Sequence, residues 1–439
     1  VTAAGHDRIG IFGAGYVGIV TAAGIAELGH TAILYDTDAA KIALLAAGGL
    51  PIHEAGLPEL VARGVSSGRL QFTSDPGRAV AGCSAVFIAV GTPIADDGSA
   101  DLTNVRDAAA TIAKHLDGPA IIVNKSTVPV DTGDLVAGIV RDARLTRRAP
   151  VVSNPEFLRE GSAVNDFFHP DRIVIGCDDA GAEAFLRVLY APLGAPVIVT
   201  DMRTAEMIKY TANAFLAMKV SFANEIAAIC AGVGADVTAV LAGAGADARI
   251  GPAHFGAGLG FGGSCLPKDL RALQQIAAAV SVQPALLEAT LAVNRRQIER
   301  ICARIGALTD GLPGRRIGVL GLAFKAGTDD VRDSPAIALI EALLAGGAQV
   351  AVHDPAAMEN ARSLLGARVT YALPDDAFDV AGDADALVLA TDWPGYADPD
   401  LARLRAAMRR PLLLDARNFY DPQRVARAGI RYEGIGRSA

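Results

Sequence analysis

Cys265 stands in Gly260-Phe-Gly-Gly-Ser-Cys-Leu-Pro-Lys-Asp269, where glycines flank a thiol and a cation and a carboxylate follow it closely. Successive glycines let backbone approach a ligand, and a lysine near a thiol favours the thiolate, the form that attacks carbonyl carbon. Taken alone, the stretch fits either a nucleophile loop or a glycine-rich structural loop. The other four cysteines (Cys83, Cys177, Cys230, Cys302) lie on strand edges or apolar helical faces, where a cysteine acts as a small hydrophobe. No CxxC pair or zinc-finger spacing occurs, so neither a disulfide framework nor a metal site is expected.

A second constellation is Gly13-Ala-Gly-Tyr-Val-Gly18, between an apolar strand and a helix, with Asp36 ending the next strand. The pattern Gly13, Gly15, Gly18 with Tyr16 and Val17 opening the helix is the dinucleotide fingerprint: backbone N–H groups at a helix N-terminus receive a pyrophosphate. Asp36 would accept hydrogen bonds from ribose hydroxyls and repel a 2′-phosphate, which points to NAD rather than NADP, with Lys41 a nearby cation. NAD and a cysteine together suggest oxidation of an alcohol to an aldehyde, thiolate addition, a second oxidation to a thioester, and hydrolysis to a carboxylate. Such chemistry needs oxyanion stabilisers and proton acceptors. Lys209 and Asn213, one turn apart on one helical face, and Asp269 are candidates. Each also has a plainer role, the lysine as a solvated charge and Asp269 as a helix cap.

The elements that must position these groups follow from periodicity. Apolar strand-like runs at Arg8 to Phe12, Thr31 to Tyr35, Ala85 to Val90, Ala120 to Asn124 and Val151 to Ser153 alternate with helical stretches, which implies a parallel sheet. From Thr204 to about Gly232 the chain reads as one long helix, and helical stretches continue to about Ala307. Turn-rich Asp310-Gly-Leu-Pro-Gly314 marks a boundary, after which strands recur at Arg316 to Leu320, Gln349 to His353, Ala386 to Ala390 and Leu412 to Leu414. The expected architecture is α/β: two Rossmann-like doubly wound parallel-sheet domains, residues 1–203 and 309–439, joined by a long central helix and a helical middle domain, residues 204–308. Ile317-Gly-Val-Leu-Gly321 parallels Ile9-Gly-Ile-Phe-Gly13, but without the full glycine spacing it does not read as a second NAD site.

The chain has 439 residues with 51% hydrophobic and 20% charged residues, which suits about three globular units and excludes a disordered or fibrous chain. A net charge of −8 argues against a general nucleic-acid surface, so an anionic ligand needs a local basic pocket. No uninterrupted apolar run has the length of a membrane span. Val1-Thr2-Ala3-Ala4-Gly5-His6-Asp7-Arg8 lacks a signal-peptide pattern, so a cytoplasmic location without membrane partners is expected.

Beyond these sites, Val90-Gly-Thr-Pro93, Lys125-Ser-Thr-Val-Pro-Val130, Asn154-Pro-Glu-Phe-Leu-Arg-Glu-Gly161, Pro170 to Gly176, Glu206-Met-Ile-Lys-Tyr-Thr-Ala-Asn213, Arg249-Ile-Gly251, Gly321-Leu-Ala-Phe-Lys325 and Thr328 to Pro335 occur in order. Together with the fingerprint and the cysteine loop, they make nearly the whole chain resemble the nucleotide-sugar 6-dehydrogenases, closest to the UDP-glucose 6-dehydrogenase branch. The resemblance implies two-step, NAD-dependent oxidation of the C6 alcohol of UDP-glucose to UDP-glucuronate. The same chemistry on dTDP-glucose, and the GDP-mannose branch, are the alternatives.

The resemblance also implies roles. Cys265 would carry the thiohemiacetal and thioester, while Lys209 and Asn213 polarise the substrate oxygen. Asp269 and Thr127 would hold a catalytic water, and Glu156 would assist hydrolysis. Gly91, Thr92, Thr127, Glu160, Lys268 and Arg332 fall near NAD. Substrate contacts would come from Phe157, Leu158, Glu160, Lys209 and Asn213, and from Gly260, Phe261, Gly262, Lys325 and Arg417, with Arg249 reaching a neighbouring subunit. Convergent Arg and Lys can bind a diphosphate despite the negative net charge. A homodimer or higher homo-oligomer through the central helix is expected, with a nucleoside diphosphate sugar as the small-molecule partner.

Three positions depart from the family pattern. Asp131 stands where Gly is usual, His254 where an aromatic residue is usual, and Ala326-Gly327 where Pro and Asn are common. Two other readings fit parts of the pattern: a two-electron hydroxyacid dehydrogenase, which would not need Cys265, and a non-catalytic NAD-binding protein, against which the joint presence of the six candidate catalytic residues argues.

Overall fold

The computed structural model describes residues 6–95, 97–143, 148–373 and 376–438; the first five residues of the N-terminal stretch named above lie outside them. The chain divides into two compact units, Val1–Ala212 with Arg271–Val280, and Asn213–Leu270 with Ser281–Ala439.

The first unit is built on an eight-stranded sheet in the order Leu70–Thr73, Thr31–Tyr35, Arg8–Phe12, Ala85–Ile88, Ile121–Asn124, Val151–Ser153, Ile173–Gly176 and Val197–Thr200. All neighbours run parallel except the single antiparallel pairing of Ser153 with Gly176. Continuous apolar runs such as Ala85–Ile88 are buried on both faces, as a helix-covered parallel sheet requires. Strand alternation sends Ile9 and Ile11 into one core layer and Phe12, Ile33 and Val86 into the other. The strand order reverses between Arg8–Phe12 and Ala85–Ile88, which opens a crevice at their carboxyl ends where ligands bind in such sheets.

The second unit repeats the plan with seven strands ordered Thr370–Tyr371, Gln349–His353, Arg316–Leu320, Ala386–Leu389, Leu412–Asp415, Arg431–Gly434 and Arg437–Ser438, only the last pair antiparallel. The two parallel-sheet domains anticipated from the strand-helix rhythm are present. The short strands Leu70–Thr73, Ile173–Gly176, Val197–Thr200, Thr370–Tyr371, Arg431–Gly434 and Arg437–Ser438 are additions to those read from the sequence.

The central helix runs from Met202 to Val233, two residues earlier than its expected start and one later than its expected end. By length and mean hydropathy it could cross a membrane, yet Glu206, Lys209, Asn213 and Asn224 along it are buried against protein. A second long helix, Ala285–Leu308, ends before the anticipated turn at Asp310, whose φ is +59°.

Candidate active site

Gly13, Gly15 and Gly18 serve different purposes. Gly13 has φ +106°, and a Cβ there would lie 2.6 Å from the Ala89 carbonyl oxygen. A Cβ on Gly18 would lie 1.7 Å from the Gly13 oxygen, so the helix can pack on the turn only with glycine. Gly15 is exposed, and nothing lies within 4 Å of where its Cβ would be, which leaves the approach to the backbone open. The helix Tyr16–Glu27 has no side-chain cap and no acidic residue in its first turn, so its N–H groups are available to an anion. Asp36 holds the turn by accepting from Ala14 N–H at 2.7 Å and from Asp38 N–H at 2.9 Å, while Lys41 Nζ lies 3.5 Å away. The turn, the bare helix end and the carboxylate fit an NAD molecule.

Other residues expected near the cofactor surround this turn in the same unit. Tyr16 Oη accepts from Gly161 N–H at 2.6 Å, next to half-buried Glu160. Gly91 is exposed, its carbonyl accepting from Asn104, and Thr92 donates to the Thr127 carbonyl at 2.8 Å. Val17 is half-buried on the helix that the turn opens.

Further along the first unit, Lys209 Nζ and Glu156 Oε1 form an ion pair of 3.1 Å, both side chains nearly inaccessible. Thr127 Oγ1 lies 3.4 Å from the same Glu156 oxygen, and the other carboxylate oxygen accepts from Leu158 N–H at 2.6 Å. Phe157 is flanked by Lys209 Nζ, 5.2 Å from its ring centroid, and by the Arg172 guanidinium at 3.5 Å. Thr127, Glu156, Phe157, Leu158 and Lys209 are thus brought together from three stretches of sequence. A buried ion pair of this kind is costly to break from one side, by about 3–5 kcal/mol.

Sequence reasoning assigned no role to several residues of this cluster. Lys125 donates to Asn154 Oδ1 at 3.1 Å, and burial holds its ammonium down to about 8 despite the opposing pull of Glu156. Glu206 accepts from Gly133 N–H at 2.7 Å, Asp131 N–H at 3.0 Å and Ser153 Oγ at 3.1 Å. Burial nevertheless pushes its carboxyl up to about 7. Both stand inside the motifs quoted above, which was the only signal they gave.

In the second unit Cys265 immediately precedes the helix Leu266–Ala279, an N-terminus that favours negative charge on sulfur. Asp269 lies in the first turn of that helix, its N–H donating to the Cys265 carbonyl at 2.9 Å, so it is not the cap that the plainer reading offered. Its carboxylate, 1% exposed, accepts from Asn213 Nδ2 at 2.6 Å and from Lys268 Nζ at 2.6 Å. Ser264 Oγ stands 3.5 Å from the thiol. The remaining cysteines fit the bland role given them: Cys83, Cys177 and Cys230 are buried, and burial pushes the Cys83, Cys177 and Cys302 thiols up, Cys83 to about 11.

The loop before Cys265 is clamped rather than loose. Phe261 exchanges two hydrogen bonds of 2.9 Å with Asn294. A Cβ on Gly260 would meet Asn294 at 2.6 Å, and one on Gly262 would meet the Asp333 carbonyl at 2.1 Å. Arg417 donates to the carbonyls of Ala390 at 2.7 Å and Phe324 at 3.1 Å, next to half-buried Lys325, and burial lowers its guanidinium below the usual range. Gly260, Phe261, Gly262, Lys325 and Arg417 therefore all belong to this unit. Arg332 and Lys268, expected near the cofactor, belong to it as well, Arg332 pairing with Asp330 at 2.7 Å. Arg249 is 88% exposed on its side chain and pairs with Asp247, so this chain alone does not bring it to the other substrate candidates.

The departures have local explanations. Asp131 has φ +76°, the region that favours glycine, and pairs with Arg203 at 2.7 Å. His254 has φ +55°, and Gly327, where Asn is common, has φ +86°, a conformation both residues tolerate. Among the described residues no group of three or more His, Cys, Asp or Glu could hold a metal ion.

The family model for the NAD binding domain of the UDP-glucose/GDP-mannose dehydrogenase family matches residues 7–194. Those for its central and UDP binding domains match residues 203–296 and 318–422. UDP-glucose 6-dehydrogenase of Rhizobium meliloti (strain 1021) is 48% identical over 437 residues, 98% of this chain and 99% of the relative. UDP-glucose 6-dehydrogenase TuaD of Bacillus subtilis (strain 168) is 45% identical over 433 residues, 98% and 94% of the two chains. The solved structure of a UDP-glucose dehydrogenase from the archaeon Pyrobaculum islandicum matches with TM-score 0.93 at 42% identity, over 99% of both chains. This chain therefore belongs to the UDP-glucose/GDP-mannose dehydrogenase family.

Proposed function

We propose that the chain oxidises the C6 alcohol of UDP-glucose to the carboxylate of UDP-glucuronate, through a thiohemiacetal and a thioester on Cys265. The observation that carries this reading is Cys265 at a helix N-terminus, one turn before the buried Asp269 that Asn213 and Lys268 both hold. NAD, when bound, supplies the two-electron acceptor, once per oxidation.

The chain's own groups move the protons. Lys209 and Asn213, one turn apart on the central helix, polarise the C6 oxygen, and the alcohol proton leaves to a water held by Thr127 and Asp269. The Cys265 thiolate then adds to the aldehyde carbon and the oxygen takes up a proton. After the second oxidation the carbon is a thioester, which water cleaves with Glu156 assisting, releasing the thiolate and the acid. The buried Glu156 and Lys209 pair sets a cation, which stabilises negative charge on the C6 oxygen, beside a carboxylate that can accept a proton from water.

The substrate is held by Phe157, Leu158, Phe261, Lys325 and Arg417, and Gly13, Gly15, Asp36 and Thr92 hold the cofactor. These roles accompany a functional division into residues 1–203, 204–308 and 309–439. Two chains pair through the central helix: Phe215, Phe222 and Ile229 are 56%, 54% and 55% exposed at heptad spacing, an apolar stripe that a second copy would cover. The enzyme works in the cytoplasm, without nucleic-acid or membrane partners.

The test is NADH formed per sugar nucleotide consumed, with limiting UDP-glucose, dTDP-glucose or GDP-mannose and excess NAD. Two NADH per UDP-glucose with a uronate product is expected. One NADH with an accumulating aldehyde would sink the thioester route, and equal inactivity with all three donors would sink the assignment.

A further inference from the structure

The second unit contains a cleft of about 590 Å³ that none of the residues above explains. It lies between the C-terminal half of the central helix, the helix Ala285–Leu308 and the antiparallel strands Arg431–Gly434 and Arg437–Ser438. Its size falls within the range of roughly 300–1,000 Å³ typical of small-molecule sites.

Among the described residues two buried side-chain atoms of its wall lack a hydrogen bond, and both are donors. Asn224 is fully buried, and its Oδ1 accepts from Gly258 N–H at 2.8 Å; its Nδ2 has no hydrogen-bond partner among the described residues. Arg437 Nε is likewise buried without a hydrogen bond, its nearest carboxylate being Asp236 at 3.6 Å. Arg300, which is exposed, donates only to Gln297 Oε1 at 3.2 Å and forms no ion pair among the described residues, whereas Arg304 is paired with Glu433. Three guanidinium groups against two carboxylates leave one positive charge in excess. Buried donors without a hydrogen bond are uncommon and each is costly, and Asn224 Nδ2 and Arg437 Nε put two of them in one wall, beside the exposed guanidinium of Arg300. A guanidinium fork matches phosphate oxygens in particular. Ile301 and Leu414 supply an apolar wall for the body of such a ligand.

The cleft and the pairing stripe use different faces of the central helix. At 100° per residue, Asn224, Ala227 and Ala231 lie on the opposite face from Phe215, Phe222 and Ile229. We propose that this cleft is a second ligand site, taking a phosphate-bearing small metabolite, a nucleotide or a sugar phosphate, apart from the residues assigned to cofactor and substrate. A ligand here would touch the helix that also carries Lys209 and Asn213.

The test is calorimetric titration of the full chain, saturated with NADH and UDP, using ATP, glucose 1-phosphate and pyrophosphate, with citrate as a non-phosphate anion. At least one phosphate probe should bind saturably, one per chain, and at least about tenfold more weakly in Arg300→Ala and Arg437→Gln, with kcat and KM measured without probe unchanged in Arg300→Ala. Preference for ATP or for glucose 1-phosphate names the source of the phosphate. No saturation by any phosphate probe below about 5 mM, binding unaltered in both variants, or citrate binding more tightly than every phosphate would each overturn the proposal.

Discussion

Gly10 and Gly13 of the first sheet have counterparts in Gly318 and Gly321 of the second. A Cβ on Gly10 would lie 2.3 Å from the Ala79 carbonyl and one on Gly318 would lie 2.4 Å from that of Val380; Gly13 and Gly321 have φ of +106° and +96°. Each first strand is followed, after the next strand, by an acid that ties the turn: Asp36 to Ala14 N–H, Asp354 to Leu322 and Ala323 N–H. There the likeness stops. The first turn leads straight into a helix at Tyr16, whereas the next helix of the second unit starts only at Pro335. Asp354 is 2% exposed and also accepts from Ala356 and Ala357 N–H and from the Trp393 indole, which leaves it no capacity for a ribose. The strand, glycine and acid frame is thus a packing device common to both sheets. A dinucleotide site needs, in addition, an immediate bare helix N-terminus and an acid with an accessible edge.

The largest effect should separate the units by function. Cys265→Ala should lower acid formation by more than about a thousandfold while NADH still binds the first unit, as followed by fluorescence titration. Loss of NADH binding with the thiol would mean that the two are not separable. The acids make the sharper contrast. Asp354→Ala orphans five donors and should cost more than about 3 kcal/mol in urea unfolding, without altering the preference for NAD over NADP in the protein that folds.

A third outcome concerns the first unit alone. Glu206 titrates at about 7 when folded against 4.5 for an ordinary glutamate. A folded acid with a raised value holds its proton more tightly than the unfolded chain does, so its contribution is complete below pH 4.5 and is lost as pH rises through 7. That amounts to roughly 3 kcal/mol. Unfolding at a series of pH values should show this decline in the wild type relative to Glu206→Gln, and parallel curves would refute it. The smallest effect is expected for Asp36→Ala, which should narrow the NAD over NADP ratio of kcat/KM by about tenfold and cost less than about 1 kcal/mol of stability. A large loss of stability there, or a changed cofactor ratio in Asp354→Ala, would reverse the roles drawn for the two acids.

Much of this is local and was therefore legible in the chain itself. The glycine fingerprint, the cysteine loop, the period-2 and helical stretches and the turn at Asp310 depend on neighbours a few residues apart, where residue type dictates backbone geometry. The missed strands Leu70–Thr73 and Val197–Thr200 are short and partly exposed at sheet edges, so their patterns carry little apolar signal. Ile173–Gly176 is buried but brief, and its contacts with Val197–Thr200 are what make it a strand.

Amino-acid order by itself determined which residues could do chemistry, the two-sheet architecture and the cofactor preference of the first turn. Only the tertiary structure decided what those residues touch: Lys209 meeting Glu156, Asn213 meeting Asp269, Glu206 closing on Gly133, and Asn224, Arg300 and Arg437 facing one cleft. Each of these joins stretches remote in sequence. Side-chain pairing across such separations is set by how helices and strands pack, and no local pattern encodes it.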